Sequence, residues 1–255
     1  MGQPFLLVFG YWNLQLIMKF ALVGYGKMGK TVERLGKEQG HRFPLIIDLD
    51  NREEFSREKM AGIDAAIEFT TPATAPGNII TCLEYGVPVV SGTTGWNDRA
   101  GEVYEVCRRM GGALFTASNF SIGVNILFAL NRQLAKFMDR FPQYRAAMKE
   151  VHHTQKLDAP SGTAITLAEQ IMDENSRIKG WSLEDTGDID TLPIEAVREG
   201  EVKGIHLVRY ESGVDILTIG HEAKTRDAFA AGALLAAEFI RDKKGVFGMT
   251  DLLKL

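Results

Sequence analysis

The chain has 255 residues, a formal charge of −4 and an apolar fraction of 45%. That is long enough for one large domain or two smaller ones with a real core. No basic stripe dominates, so charge offers no reason to expect nucleic-acid binding. The two cysteines, Cys82 and Cys107, fit neither a disulfide framework nor metal-ligand spacing and read as buried free thiols. Such a composition predicts a globular cytoplasmic protein.

Residues 1–17 carry an apolar run, Phe5-Leu6-Leu7-Val8-Phe9, with no basic residue before it and no small-residue cleavage site after it. Asn13 and Gln15 interrupt it too early for a bilayer span, so no membrane contact is expected. Met18 is the expected natural start, with 1–17 an upstream extension of translation. From Met18 onward, strand and helix alternate. Phe20-Ala21-Leu22-Val23 reads as a strand ending at Gly24-Tyr25-Gly26-Lys27-Met28-Gly29. Helical spacing follows through Val32 and Leu35 to about residue 39, and a second apolar run over 43–47 ends at Asp48. Strand, glycine turn, helix, strand and acid form a dinucleotide fingerprint in its required context. Gly24 serves the turn, Gly26 the approach of backbone to a pyrophosphate, and Gly29 the helix–strand contact. The phosphates then meet N–H groups at a helix start.

Three more strands are predicted over 65–69, 87–90 and 113–116, with helices over about 74–85 and 98–110 between them. Small and hydroxyl residues recur at their carboxyl ends: Thr70-Thr71, Gly92-Thr93-Thr94 and Ala117-Ser118-Asn119-Phe120. Ligands of an open parallel sheet sit there. After Phe120 a long helix is expected over 122–138, with Ile126, Leu127, Leu130 and Leu134 on one face. A strand over 144–151 leads to a polar segment, and Ser161 is placed to cap a helix over 164–175. Residues 181–192 look irregular. Strands over 202–210 and 214–220 flank a turn at Glu211-Ser212-Gly213, and a helix over 225–240 closes the pattern. The expected fold class is α/β: an N-terminal Rossmann dinucleotide-binding domain with a second α+β domain built on a mixed sheet.

The segment 152–164 is the densest in chemistry: His152, His153, Lys156 and Asp158 lie just ahead of Ser161-Gly162-Thr163-Ala164. Cationic and proton-transferring groups beside a helix start suit a small anion that must be protonated. The run Glu150-Val151-His152-His153-Thr154-Gln155-Lys156-Leu157-Asp158-Ala159-Pro160-Ser161-Gly162-Thr163-Ala164 closely resembles the signature of the dihydrodipicolinate reductase (4-hydroxy-tetrahydrodipicolinate reductase) family of lysine and diaminopimelate synthesis. The resemblance extends from the glycine fingerprint through Gly92-Thr93-Thr94 and Ala117-Ser118-Asn119-Phe120 to the C-terminal helix.

The resemblance implies NAD(P)H-dependent reduction of a cyclic dicarboxylate by a homotetramer assembled through the second domain's sheet. His152 would donate the proton, and Lys156 would bind and polarise the substrate. His153, Gly162 and Thr163 would hold it. Asp158 is read as structural, and Arg226 falls in a region resembling the family's hinge. The cofactor would contact Gly24, Tyr25, Gly26, Lys27, Met28, Gly29, Asp48, Gly92, Thr93, Thr94, Ala117, Ser118, Asn119 and Phe120. Asp48 favours ribose hydroxyls and opposes a 2′-phosphate, so NADH is expected to be preferred, with NADPH used through Lys27 or Arg52. The dinucleotide domain is expected over 18–120 plus 227–255 and the substrate and oligomerisation domain over 121–226. Two other readings compete: another oxidoreductase of the aspartate pathway, such as a semialdehyde or homoserine dehydrogenase, the former needing a nucleophilic cysteine where neither Cys82 nor Cys107 sits in an activating setting, and a nucleotide-sensing regulator, which has no use for the His–His–Lys cluster.

Overall fold

The computed structural model describes residues 16–225 and 227–255, so the expectations for residues 1–15 and for Arg226 lie outside the described residues. The first half comprises β1 (Lys19–Val23), α1 (Lys27–Glu38), β2 (Arg42–Ile47), α2 (Arg57–Met60), β3 (Ala65–Glu68), α3 (Ala75–Glu84), β4 (Val89–Ser91), α4 (Ala100–Met110) and β5 (Ala113–Thr116). It continues with α5 (Ile122–Met138), β6 (Arg145–His152), α6 (Gly162–Glu174), β7 (Gly180–Ser182), β8 (Thr191–Arg198), β9 (Ile205–Glu211) and β10 (Ile216–Glu222). The chain ends with α7 (Asp227–Ile240), β11 (Gly245–Phe247) and α8 (Met249–Leu253).

Strands β1 and β3 are buried almost throughout, as strands covered on both faces must be. They lie inside a wholly parallel sheet of order β11-β5-β4-β3-β1-β2. One face packs on α3 and α4 through Ile79, Leu83, Val103 and Cys107. The other packs on α7 through Ala233, Leu234 and Ala237, around Phe20 and Phe115. Burying each large apolar side chain of this kind contributes about 1.5–3 kcal/mol. Both cysteines are buried and free, and burial pushes both thiols up.

The second sheet is mixed, with order β10-β9-β6-β8-β7: β6 runs parallel to β8 and antiparallel to β9. Helices α5 and α6 cover one face, where Leu127, Leu167, Ile171, Ile194, Val208 and Tyr210 form a core. Among the described residues no helix is long and apolar enough to cross a membrane.

Several local expectations need correction. The inner face of α5 is Val124, Leu127, Asn131, Ala135 and Met138, whereas Ile126 and Leu130 are 43% and 53% exposed. Asn131 turns inward because its Nδ2 donates to the Leu167 carbonyl (3.0 Å) and Gln170 Oε1 (3.1 Å), joining α5 to α6. Apolar periodicity cannot register a polar residue that is buried because it is bonded. Strand β8 was hidden by Pro193, which lies opposite Ser182 of β7 at the start of the strand, one residue before pairing with β6 begins at Ile194. Strand β9 starts at Ile205, not 202, and Val214 lies in the turn between β9 and β10, 92% exposed. The short β11 and α8 carry too few residues to show a period.

Candidate active site

The loop after β1 turns at Gly24, whose φ of +94° suits glycine, and a Cβ there would run into the carbonyl oxygen of Phe69. A Cβ at Gly29 would meet the Gly24 carbonyl oxygen, so the turn and α1 are in contact. Gly26 faces open space, and α1 starts there without a side-chain cap. Helices α2, α5 and α6 are instead capped by Ser56, Ser121 and Ser161. An uncapped first turn above an open glycine fits a pyrophosphate, so the residues present match the dinucleotide that the sequence implies. Tyr25 Oη donates to Glu33 and its ring lies under Lys30, while Lys27 is exposed. Asp48 directly follows β2, with its N–H donated to Asn51 Oδ1 at 2.7 Å and its side chain exposed. Arg52 is drawn away, bonded to Asn78 Oδ1 and lying over the Phe55 ring.

The other strand ends are tied together by a residue that carried no weight in the sequence. Glu68, fully buried at the end of β3, accepts from Ser91 Oγ (2.6 Å), Thr93 Oγ1 (2.9 Å), the Thr70 N–H (2.9 Å) and the Thr70 hydroxyl. Burial pushes its carboxyl up, and those four donors only partly offset it. Gly92 donates its N–H to the Glu68 carbonyl at 2.9 Å. Thr94, Ser118 and Asn119 reach the cleft. Ala117 packs against the core, and the Phe120 ring is buried, stacked on Phe115 at 5.8 Å. Phe120 therefore has backbone rather than its ring to offer a cofactor.

Opposite these loops, β6 delivers His152 to the cleft wall. Glu150, two residues earlier and fully buried, accepts from Arg198 Nη2 at 2.9 Å and from the Ser161 N–H at 3.0 Å. His152 Nδ1 lies 3.7 Å from Glu150 Oε2. The His152 and His206 rings meet edge to face at 5.0 Å, and His206 Nε2 is bonded to Ser161 Oγ at 3.1 Å. Ser161 Oγ also accepts the Ala164 N–H at 3.2 Å, which makes it the predicted N-cap. The N–H groups of Gly162 and Thr163 belong to the first turn of α6, whose donors have no intrahelical acceptor. Lys156 Nζ donates to both oxygens of Asp158 at 2.7 and 2.8 Å, so Asp158 holds the lysine.

Burial holds His152 below the ordinary imidazole value, opposed by Glu150 and assisted by Lys156 and Arg198. His206 is held at about 4 by burial and by His152. Burial would raise Glu150, but hydrogen bonds from Ser161 and Arg198 keep its carboxylate ionised below the usual range. Donor atoms of Glu150, His152 and His206 lie within 4.8 Å of one another. The carboxylate is committed to Arg198 and Ser161, however, and the guanidinium opposes a second cation. The trio therefore reads as a proton-handling cluster rather than a ligand set.

One cleft of ≈ 640 Å³ brings the two halves together. Met28, Thr94, Ser118 and Asn119 line it from the parallel sheet; His152, His153, Lys156, Gly162 and Thr163 line it from the second sheet. Asn119 Nδ2 reaches Thr163 Oγ1 at 3.5 Å across it. Lys203, His206 and His221 also line it and were missed, since they stand alone in strands or loops with no motif around them. Gly24, Gly26, Asp48 and Gly92 do not line this cleft; they extend along the strand ends beside it.

Similarity to known proteins agrees with this geometry. The chain matches the family described as dihydrodipicolinate reductase, N-terminus, over residues 18–120 and dihydrodipicolinate reductase, C-terminus, over 123–253. A 4-hydroxy-tetrahydrodipicolinate reductase of Christiangramia forsetii is 48% identical over 238 residues, covering 92% of this chain and 98% of that one. One from Lawsonia intracellularis is 32% identical over 257 residues, covering 89% and 96%. A solved dipicolinate-bound dihydrodipicolinate reductase of Paenisporosarcina shares the fold at a TM-score of 0.73, with 22% identity and coverage of 92% and 99%. The chain belongs to the dihydrodipicolinate reductase family.

Proposed function

We propose that His152 and Lys156 carry the chemistry of this family in the present chain. The chain is an NAD(P)H-dependent 4-hydroxy-tetrahydrodipicolinate reductase of lysine and diaminopimelate biosynthesis. When bound, the reduced nicotinamide supplies the hydride. Gly24 to Gly29 would hold the pyrophosphate, Asp48 the ribose, and the backbone of Gly92–Thr94 and Ala117–Phe120 the remainder. The observation that carries the reading is the cleft itself, where an imidazole, an ammonium and a helix start face the cofactor loops.

Gly162, Thr163 and His153 bind one carboxylate of the substrate, with the first-turn N–H groups of α6 as donors. Lys156 leaves Asp158 for the incoming anion and draws electron density from the ring. His152 gives up the proton that completes the reduction. Burial lowers its pKa, which favours the neutral imidazole. A dicarboxylate brings negative charge that raises the pKa, so bound substrate favours the charged acid.

NADH is the preferred cofactor in this reading. Asp48 opposes a 2′-phosphate and Arg52 is occupied by Asn78, which leaves exposed Lys27 to support the NADPH that is used. The division into 18–120 plus 227–255 and 121–226, a homotetramer assembled through the second sheet, and a cytoplasmic site of action complete the proposal. NADH and NADPH oxidation, measured on substrate freshly made by the preceding synthase, tests it. Turnover with higher catalytic efficiency for NADH is expected; a strong NADPH preference contradicts the charge argument, and no turnover contradicts the function.

A further inference from the structure

Arg198 is bonded to more of the active site than any residue that touches the substrate in the reading above. Its Nη2 donates to Glu150 Oε1 (2.9 Å) and to the carbonyl of Asp158 (2.6 Å), and its Nε to the carbonyl of Lys156 (3.3 Å). One planar guanidinium thus grips both a buried carboxylate beneath His152 and the backbone of the loop that carries Lys156. Glu150 in turn holds the Ser161 N–H at 3.0 Å, immediately ahead of Gly162 and Thr163, and lies 3.7 Å from His152 Nδ1. Register makes this possible: His152 sits opposite Arg198 across β6 and β8, and Glu150 opposite His206 across β6 and β9.

We propose that the buried Glu150–Arg198 pair is the positioning device of this active site, fixing His152, the Lys156 loop and the Ser161–Thr163 helix start in one register and supplying the negative charge that lets His152 carry a proton. The proposal rests on His152 being the proton donor. Neither residue touches the substrate in that account; both act through others. The carboxylate must be there because a buried imidazole resists protonation unless an opposite charge stands beside it. The arginine must be there because an unpaired buried carboxylate is costly. His152 is faced by Glu150 on its own strand, Arg198 on β8, His206 on β9 and the Lys156–Asp158 pair in the loop. Lys203 and His221 line the same cleft. Of these, Glu150 is the fully buried anion.

The test is the pH profile of kcat/KM for Glu150→Gln, Glu150→Asp and Arg198→Lys, with NADH affinity measured in parallel. Loss of the carboxylate charge lowers the pKa of His152. The alkaline limb should therefore move toward acid by about one unit or more in Glu150→Gln, a loss of about tenfold in kcat/KM above that limb. Glu150→Asp, which keeps the charge, should return the limb toward its wild-type position. Arg198→Lys keeps the charge but loses the fork, so substrate KM should rise about tenfold with the limb nearly unmoved. A wild-type limb in Glu150→Gln overturns the proposal. Where that variant does not fold by circular dichroism, Arg198→Lys decides: an unchanged KM overturns it. His152→Gln is run beside them. Wild-type turnover in His152→Gln defeats the proton-donor reading itself, whereas an inactive His152→Gln with an unaffected Glu150→Gln defeats only the positioning role.

Discussion

As the proposed proton donor, His152 should gain a proton when a dianion joins it, because burial holds its pKa below the ordinary imidazole value, and this has a measurable signature. Substrate or a dicarboxylate analogue should draw about one proton per site from solvent near neutral pH. Titration calorimetry in buffers of different ionisation enthalpy reads that uptake directly; it should vanish in His152→Gln. Uptake unchanged in that variant would place the proton elsewhere. The residues that fall together within 152–164 could be read from the chain because they are neighbours in sequence. Glu150 stood inside the same run without a role, because its partners come from register: Arg198 is 48 residues on, and His206 is brought in by β9. Nothing local in the chain encodes those pairings. Asp158 is bonded to Lys156 through both carboxylate oxygens, a contact that gives the structural reading of this residue a specific form.

At the scale of elements, the cofactor side depends on strand ends stitched by Glu68. Its raised pKa means that the neutral carboxyl is the form the fold prefers. Its contribution is full below the ordinary carboxylate range and is lost as pH rises through the folded-state value. Glu68→Gln keeps the shape and, because the Ser91 hydroxyl can turn to accept, keeps the bonds. The variant should melt at or above the wild-type temperature at pH 8 and lose that advantage in acid; a lower melting temperature at both would show that the ionised carboxylate is required. The parallel sheet and its helices were legible because long apolar runs and glycine turns announce them. The inner face of α5 was not, since Asn131 is buried through its bonds to α6. Strand β8 was not, since Pro193 breaks its pattern.

Across the whole molecule, three imidazoles have lowered pKa values, the buried His152 and His206 and the half-buried His221, all from burial first. For His206, depressed from 6.5 to about 4, the unfolded chain takes a proton in that window and the folded chain does not. Stability is full above about 6.5 and falls as pH drops toward 4, by at most about 3 kcal/mol from this residue. Urea midpoints across that range should decline, and decline less in His206→Gln; parallel curves would show that the buried histidine is not the cause. The division of labour between the two sheets is the larger claim: hydride from the parallel sheet's side, proton and anion binding from the mixed sheet's. The most direct test is steady-state turnover of His152→Gln and Lys156→Ala together with their NADH affinity. Turnover lowered roughly a hundredfold or more, with NADH affinity nearly unchanged, is the predicted result. Near wild-type turnover in both variants, or NADH affinity lost together with turnover, would contradict it.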